Sequence, residues 1–175
     1  MNRAFVKESD TPAGIELPER PLSPHPNYVT PSGMAQLRTL LADARARKGA
    51  LEARGEDMEA RTELQSLKRD LRWLESRVGS ARLVDPEDQP RDRVAFGATV
   101  DVAENERQQT YRIVGEEEAD AEQGWVSYVS PLAKALLGAR IGDEVVWNRP
   151  AGDLCIEVLG IRYEDAQAAS PPQSP

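Results

Sequence analysis

Two stretches of this chain repeat apolar residues in steps of three and four, with a glycine-containing break between them. In the first, Met34, Leu37, Leu41, Ala44 and Leu51 keep the step, with Lys48 filling one place. In the second, Ala60, Leu64, Leu67, Leu71, Leu74, Val78 and Ala81 keep it without interruption. This alternation is the heptad seam of paired helices. A break as short as the one at Gly55 makes the arms neighbours, so they bury their stripes by folding back on each other. The expectation is an antiparallel helical hairpin over 30–84, with its tip near 52–59. Thr30-Pro31-Ser32 opens it, with a hydroxyl for the N-cap and a proline in the tolerated first turn. Each arm of about 24 residues would be about 36 Å long.

Composition fits a solvated probe of that kind. The 175 residues are 39% hydrophobic, 30% charged and only 5% aromatic, lean for a single packed core. The net charge of −8 argues against general duplex-DNA binding, and no sequence-specific DNA contact is expected. Charge is also segregated. Residues 31–85 hold 11 basic and 9 acidic side chains, whereas residues 86–175 hold 8 basic and 17 acidic. Cys155 is the sole cysteine, which excludes an internal disulfide and a cysteine zinc site. His25 is the sole histidine and lies among prolines, a poor base for a catalytic triad or metal site. No apolar run approaches the ~18 residues of a membrane span. Met1 to Asp10 lack the apolar stretch of a secretory signal, so a cytoplasmic protein is expected.

After Gly79 and the Pro86/Pro90 pair the period changes from seven to two. Val94, Phe96, Ala98, Val100 and Val102 alternate with polar residues. Further strand-like runs are 110–114, 125–129, 144–147 and 154–163, bounded by glycine, proline or acidic turns. Ser130 precedes a short helix over 131–137 that Gly138 stops. The fold class is therefore α+β: a helical hairpin, then a small sheet domain over 92–164 with one short helix. Residues 1–29, with five prolines, read as an extended or disordered arm, and 165–175 as a disordered tail. Trp125 and Trp147 are expected half-buried on strands, and Cys155 buried and inert. Trp73 is expected to pack against the sheet domain, and Glu116-Glu117-Glu118 to be a solvated loop.

Several segments in this order resemble the GreA/GreB transcript-cleavage factors of bacterial RNA polymerase. They are Thr30-Pro31-Ser32-Gly33 with Leu37, Val94-Ala95-Phe96-Gly97-Ala98-Thr99-Val100 and Tyr111-Arg112-Ile113-Val114-Gly115 followed by Glu118-Ala119-Asp120. Ser130-Pro131-Leu132-Ala133, Ala135-Leu136-Leu137-Gly138, Gly142-Asp143 and Pro150-Ala151-Gly152 complete the set. The resemblance covers about 30–164 and leaves the N-terminal arm without a counterpart. It implies an FKBP-like sheet domain that docks on the rim of the polymerase secondary channel through Ser130, Pro131, Leu132 and Ala133. It implies a hairpin that enters the channel and meets the nascent RNA only indirectly. The protein would be an accessory factor, with the polymerase performing any RNA hydrolysis. An FKBP-like sheet also raises prolyl isomerase activity, discounted because the aromatic residues occupy core-like strand positions.

The family tip pattern is Gly-Asp-x-x-Glu-Asn, and this chain has Gly55-Glu56-Asp57-Met58-Glu59-Ala60. The resemblance makes Glu56 and Glu59 the tip acids that assist the polymerase. With Asp57 beside them, they would share a magnesium ion with its active site. An ungapped alignment from the second arm puts Ala50 and Ala53 there instead. A gap placed symmetrically about the turn favours the glutamates. The arms are shorter than the family's by about one heptad, or ~10 Å. That length raises a second reading, a non-cleaving competitor resembling the regulator of nucleoside diphosphate kinase. A third is a hairpin scaffold unrelated to polymerase. Basic residues along the shaft, among them Arg45, Arg47, Arg69, Arg72 and Arg77, would suit proximity to RNA.

Overall fold

A computed structural model describes residues 17–55, 57–105 and 107–163. Helix α1 (Pro31–Ala53) and helix α2 (Met58–Ser80) are the two hairpin arms, each of 23 residues. Thr30 caps α1, its hydroxyl accepting from the Gly33 amide at 3.1 Å. The expected seam is the interface: Leu37, Leu41, Leu71 and Leu74 are buried, with Met34, Ala44, Leu67 and Val78 packed around them. Nearer the tip, Leu51 and Ala60 are buried as well. Gly79 does not end the second arm, which runs one residue further. A glycine inside a helix weakens that last turn without breaking it.

The sheet domain is built from β3 (Ala98–Glu104), β4 (Arg107–Val114), β5 (Trp125–Ser127), β6 (Glu144–Trp147) and β7 (Leu154–Tyr163), with helix α3 (Pro131–Leu136). The strand order is β5-β4-β3-β7-β6, antiparallel except for the β4–β5 pair. Val100, Val102, Ile113, Ile156 and Val158 form its core with Leu132, Ala133 and Leu136 of α3. The first strand of this domain begins at Ala98, not at Val94. Gly97, at φ +84°, turns the chain there, and Val94 instead exchanges backbone bonds with Gly138 and Ala139, both at 2.8 Å. Cys155 is exposed, contrary to expectation. Leu154, Ile156 and Val158 point inward along β7, so period two sends Cys155 outward with Glu157.

The Pro-rich stretch lies against the base of the hairpin from Glu19 onward. Strand β1 (Tyr28–Val29) pairs in parallel with β2 (Arg82–Leu83), the segment that leaves α2. Asn27, buried, donates to the Arg77 carbonyl at 2.7 Å and to the Ser80 hydroxyl at 3.1 Å. Further along, the Trp73 indole donates to the Pro21 carbonyl at 3.3 Å, and the Arg20 guanidinium stacks 3.9 Å from the Trp73 ring centre. Trp73 is thus covered by this stretch and not by the sheet domain. Tyr28 closes the joint from the other side, in an aromatic cluster with Phe96 and Tyr128 at ring separations of 5.4–6.0 Å.

Candidate functional site

At the hairpin tip, Gly55 adopts φ +66° and lets the chain reverse. Asp57 is the N-cap of α2: its Oδ1 accepts from the Glu59 amide at 2.9 Å and the Ala60 amide at 3.5 Å. Its Oδ2 pairs with the Arg54 guanidinium at 2.5 Å. The Arg54 bond, then the Glu59 amide, hold the Asp57 carboxyl below the usual carboxylate range, and Asp57 raises Arg54 in turn. Glu59 sits in the first turn of α2, exposed, where the helix N-terminus favours a negative charge. Met58 beside it is 75% exposed. Glu56 lies outside the described residues.

These contacts sort the acids by availability. Both oxygens of Asp57 are engaged, so it serves as the cap on which α2 starts. The Glu59 carboxylate makes no hydrogen bond or ion pair among the described residues and can offer oxygens to a hard cation. Among the described residues, no group of three or more His, Cys, Asp or Glu side chains could hold a metal ion.

The basic shaft is largely paired within the chain. Arg45 meets Glu75 at 2.9 Å, Lys48 meets Glu52 at 3.6 Å, and Arg69 meets Asp70 at 3.2 Å. Arg47 pairs with Glu63, Arg72 with Glu19 and Arg77 with Glu117. Arg38 and Lys68 remain exposed.

In the sheet domain, Ser130 caps α3, its hydroxyl accepting from the Ala133 amide at 3.2 Å. Pro131 is exposed at the first helical position, while Leu132 and Ala133 are buried in the core. Of the four residues expected at the polymerase rim, Ser130 and Pro131 reach the surface. Beside them opens an apolar pocket of about 280 Å³, walled by Tyr111, Val126, Leu132 and Trp147. Tyr111 and Trp147 meet edge to face at 6.4 Å, and Arg149 covers Trp147 at 5.2 Å. The Tyr111 hydroxyl donates to Glu104 at 2.8 Å; burial and then that carboxylate push its pKa up to about 12. Trp147 is half-buried on its strand as expected, and with Tyr111 it packs on the core while walling this pocket. Their half-exposed strand positions were the only signal.

The acidic triplet is not a solvated loop. Glu118 is buried and accepts from the Thr30 amide at 3.0 Å, from the Thr30 hydroxyl, and from the Gly115 amide at 3.2 Å. Its carboxylate thereby docks on the N-cap of α1, at the positive end of that helix. Glu117 pairs with Arg77 of α2, and Glu116 accepts from the Ser23 hydroxyl at 3.0 Å. Three consecutive carboxylates hold the start of α1, the end of α2 and the Pro-rich stretch beside them.

Known proteins share much of this sequence. The family description "Transcription elongation factor, GreA/GreB, C-term" matches residues 89–163. The transcription elongation factor GreB of Neisseria meningitidis serogroup B is 36% identical over 153 residues, covering 78% of this chain and 94% of that protein. GreA of Nautilia profundicola is 40% identical over 126 residues, covering 70% of this chain and 77% of that protein. A solved GreA/GreB factor from Nitrosomonas europaea aligns with 78% of this chain and 98% of its own, at 23% identity and a TM-score of 0.39. Among the described residues, no helix is long and apolar enough to cross a membrane.

Proposed function

The chain belongs to the GreA/GreB family of transcription elongation factors, and we propose on that premise that it binds RNA polymerase core at the secondary channel. The sheet domain docks on the channel rim through Ser130, Pro131 and the adjoining apolar pocket. The hairpin enters the channel and carries Glu59, together with Glu56, toward the polymerase active centre. The chain acts there as an accessory factor in the cytoplasm, and the polymerase performs the hydrolysis of backtracked RNA.

A magnesium ion shared with the polymerase would supply a Lewis acid and an activated water. This chain's own contribution is positional. Asp57 fixes the start of α2, which sets Glu59 in its first turn with an unengaged carboxylate. Arg54 holds Asp57 in that capping role. The observation that carries the reading is an exposed tip acid on a helical hairpin, in a chain that spans 94% of a GreB relative.

One observation favours the non-cleaving competitor as a second reading. The Arg54 guanidinium lies among the tip acids and offsets part of their charge. A single assay separates the two. The chain is mixed with a stalled, backtracked elongation complex and magnesium, and short 3′-RNA fragments are sought. Fragments that disappear with Glu56→Ala/Glu59→Ala support the cleavage role. Binding without fragments leaves the competitor, and no binding to core polymerase overturns both.

A further inference from the structure

We propose that the Glu116–Glu118 triplet and the strap of residues 19–29 together brace the hairpin against the sheet domain in one fixed direction. The joint thereby aims the tip.

The contacts come from both sides of the hairpin base. From the sheet domain, Glu118 grips the N-cap of α1 through the Thr30 amide and hydroxyl, while Glu117 reaches the buried Arg77 of α2. From the strap, Asn27 ties to the last turn of α2, and Arg20 and Pro21 close over Trp73 one and a half turns earlier. The strap is itself fastened to the sheet domain. Ser23 donates to Glu116 at 3.0 Å, and the Tyr128 hydroxyl donates to the Pro26 carbonyl at 2.6 Å. Each helix is thus held by the sheet domain directly, and α2 is held a second time through the strap.

Two glycines show how closely the parts approach. A Cβ on Gly33 would fall inside the Glu118 carboxyl group. One on Gly115 would lie 2.5 Å from the Tyr28 carbonyl oxygen. No loop of slack separates the domains at these points.

The lever makes the brace matter. An arm of 23 residues is about 35 Å long, so a 10° swing at the joint moves the tip by about 6 Å. That exceeds the reach of a carboxylate to a cation, about 2.5 Å. The brace is a property of the chain alone and stands whether or not it binds polymerase.

The test measures tip-to-sheet distances in the free, full-length chain. Spin labels are placed on the exposed native Cys155 and on Met58→Cys at the tip. Pulsed dipolar spectroscopy should give one narrow distance peak. Glu117→Gln/Glu118→Gln should broaden it or shift it by about 6 Å or more, while Lys68→Ala on the exposed shaft should leave it unchanged. If the double variant does not fold, Glu117→Gln and Ser23→Ala, each of which releases a single contact, supply the same reading through partial broadening. A broad or multiple distribution in the parent, or a narrow peak that survives in the folded variants, overturns the proposal.

Discussion

Replacing Gly33 by alanine should destabilise this protein, although the same change elsewhere in its helices should stabilise it. In an exposed helix interior, alanine is better than glycine by about 1 kcal/mol. Gly49 and Gly79 are helical glycines at which an added Cβ would meet nothing within 4 Å, so Gly49→Ala and Gly79→Ala should gain about that amount. Gly33 differs because its Cβ would occupy the place of the Glu118 carboxyl. A carboxyl at the end of a free side chain would swing aside. This one is held by two groups of Thr30 and by the Gly115 amide. Overpacking costs about 1–3 kcal/mol. Dislodging even one charged hydrogen bond adds about 1.5 kcal/mol. Less the gain in propensity, the net loss is about 1.5–3.5 kcal/mol. With a urea m-value of about 2 kcal/mol/M, the unfolding midpoint should fall by about 1 M. Urea titration followed by far-UV circular dichroism reads this directly. In a Glu118→Ala background the same Gly33→Ala change should cost nothing, because the obstructing group is gone. A midpoint that rises with Gly33→Ala, as it should for Gly49→Ala, would mean that the Glu118 carboxyl is not held against α1.

Two further outcomes are expected. Asp57 has its carboxyl held below the ordinary value near 4, so its capping contribution is complete above about pH 4 and is lost as pH falls through its lower folded value. The urea midpoint of the parent should therefore fall more steeply between about pH 4 and pH 2 than that of Asp57→Asn; equal slopes would remove Asp57 from the cap. Arg20→Ala should uncover the Trp73 ring and shift its emission to the red in a variant lacking Trp125 and Trp147, with a loss of about 0.5–1 kcal/mol. An unchanged spectrum would mean that the strap does not cover Trp73.

The hairpin was legible because its signal is local and periodic. The seam from Met34 to Leu51 and from Ala60 to Ala81 is spaced as the helices need it, and both helices follow. The sheet runs were legible for the same reason, and the inward set of β7 also contained the answer for Cys155, since its neighbours Leu154 and Ile156 point inward. The joint was not legible. Glu118 reads locally as one more acid in an acidic run, and its partner Thr30 lies 88 residues away. Trp73 reads as a hairpin-edge residue, but its cover comes from residues 52 positions earlier, which composition marks only as proline-rich. The pocket beside Ser130 needs Tyr111 and Trp147 on different strands, a meeting that depends on sheet order. At the tip, the pattern of acids points to Glu59 and Asp57 alike. Only geometry separates the cap from the unengaged carboxylate.

On the proposed function, the hairpin tip reaches the polymerase active centre while the sheet domain stays on the rim. Photo-crosslinking from the two ends tests it most directly, with a benzophenone side chain placed at Met58 or at Pro131, both exposed. In a backtracked elongation complex, the Met58 probe should crosslink to residues lining the inner channel and to the 3′ end of the RNA. The Pro131 probe should crosslink only to the channel mouth. Met58 crosslinks confined to the outer surface of the polymerase, or absent while Pro131 crosslinks form, would mean that the hairpin does not enter the channel.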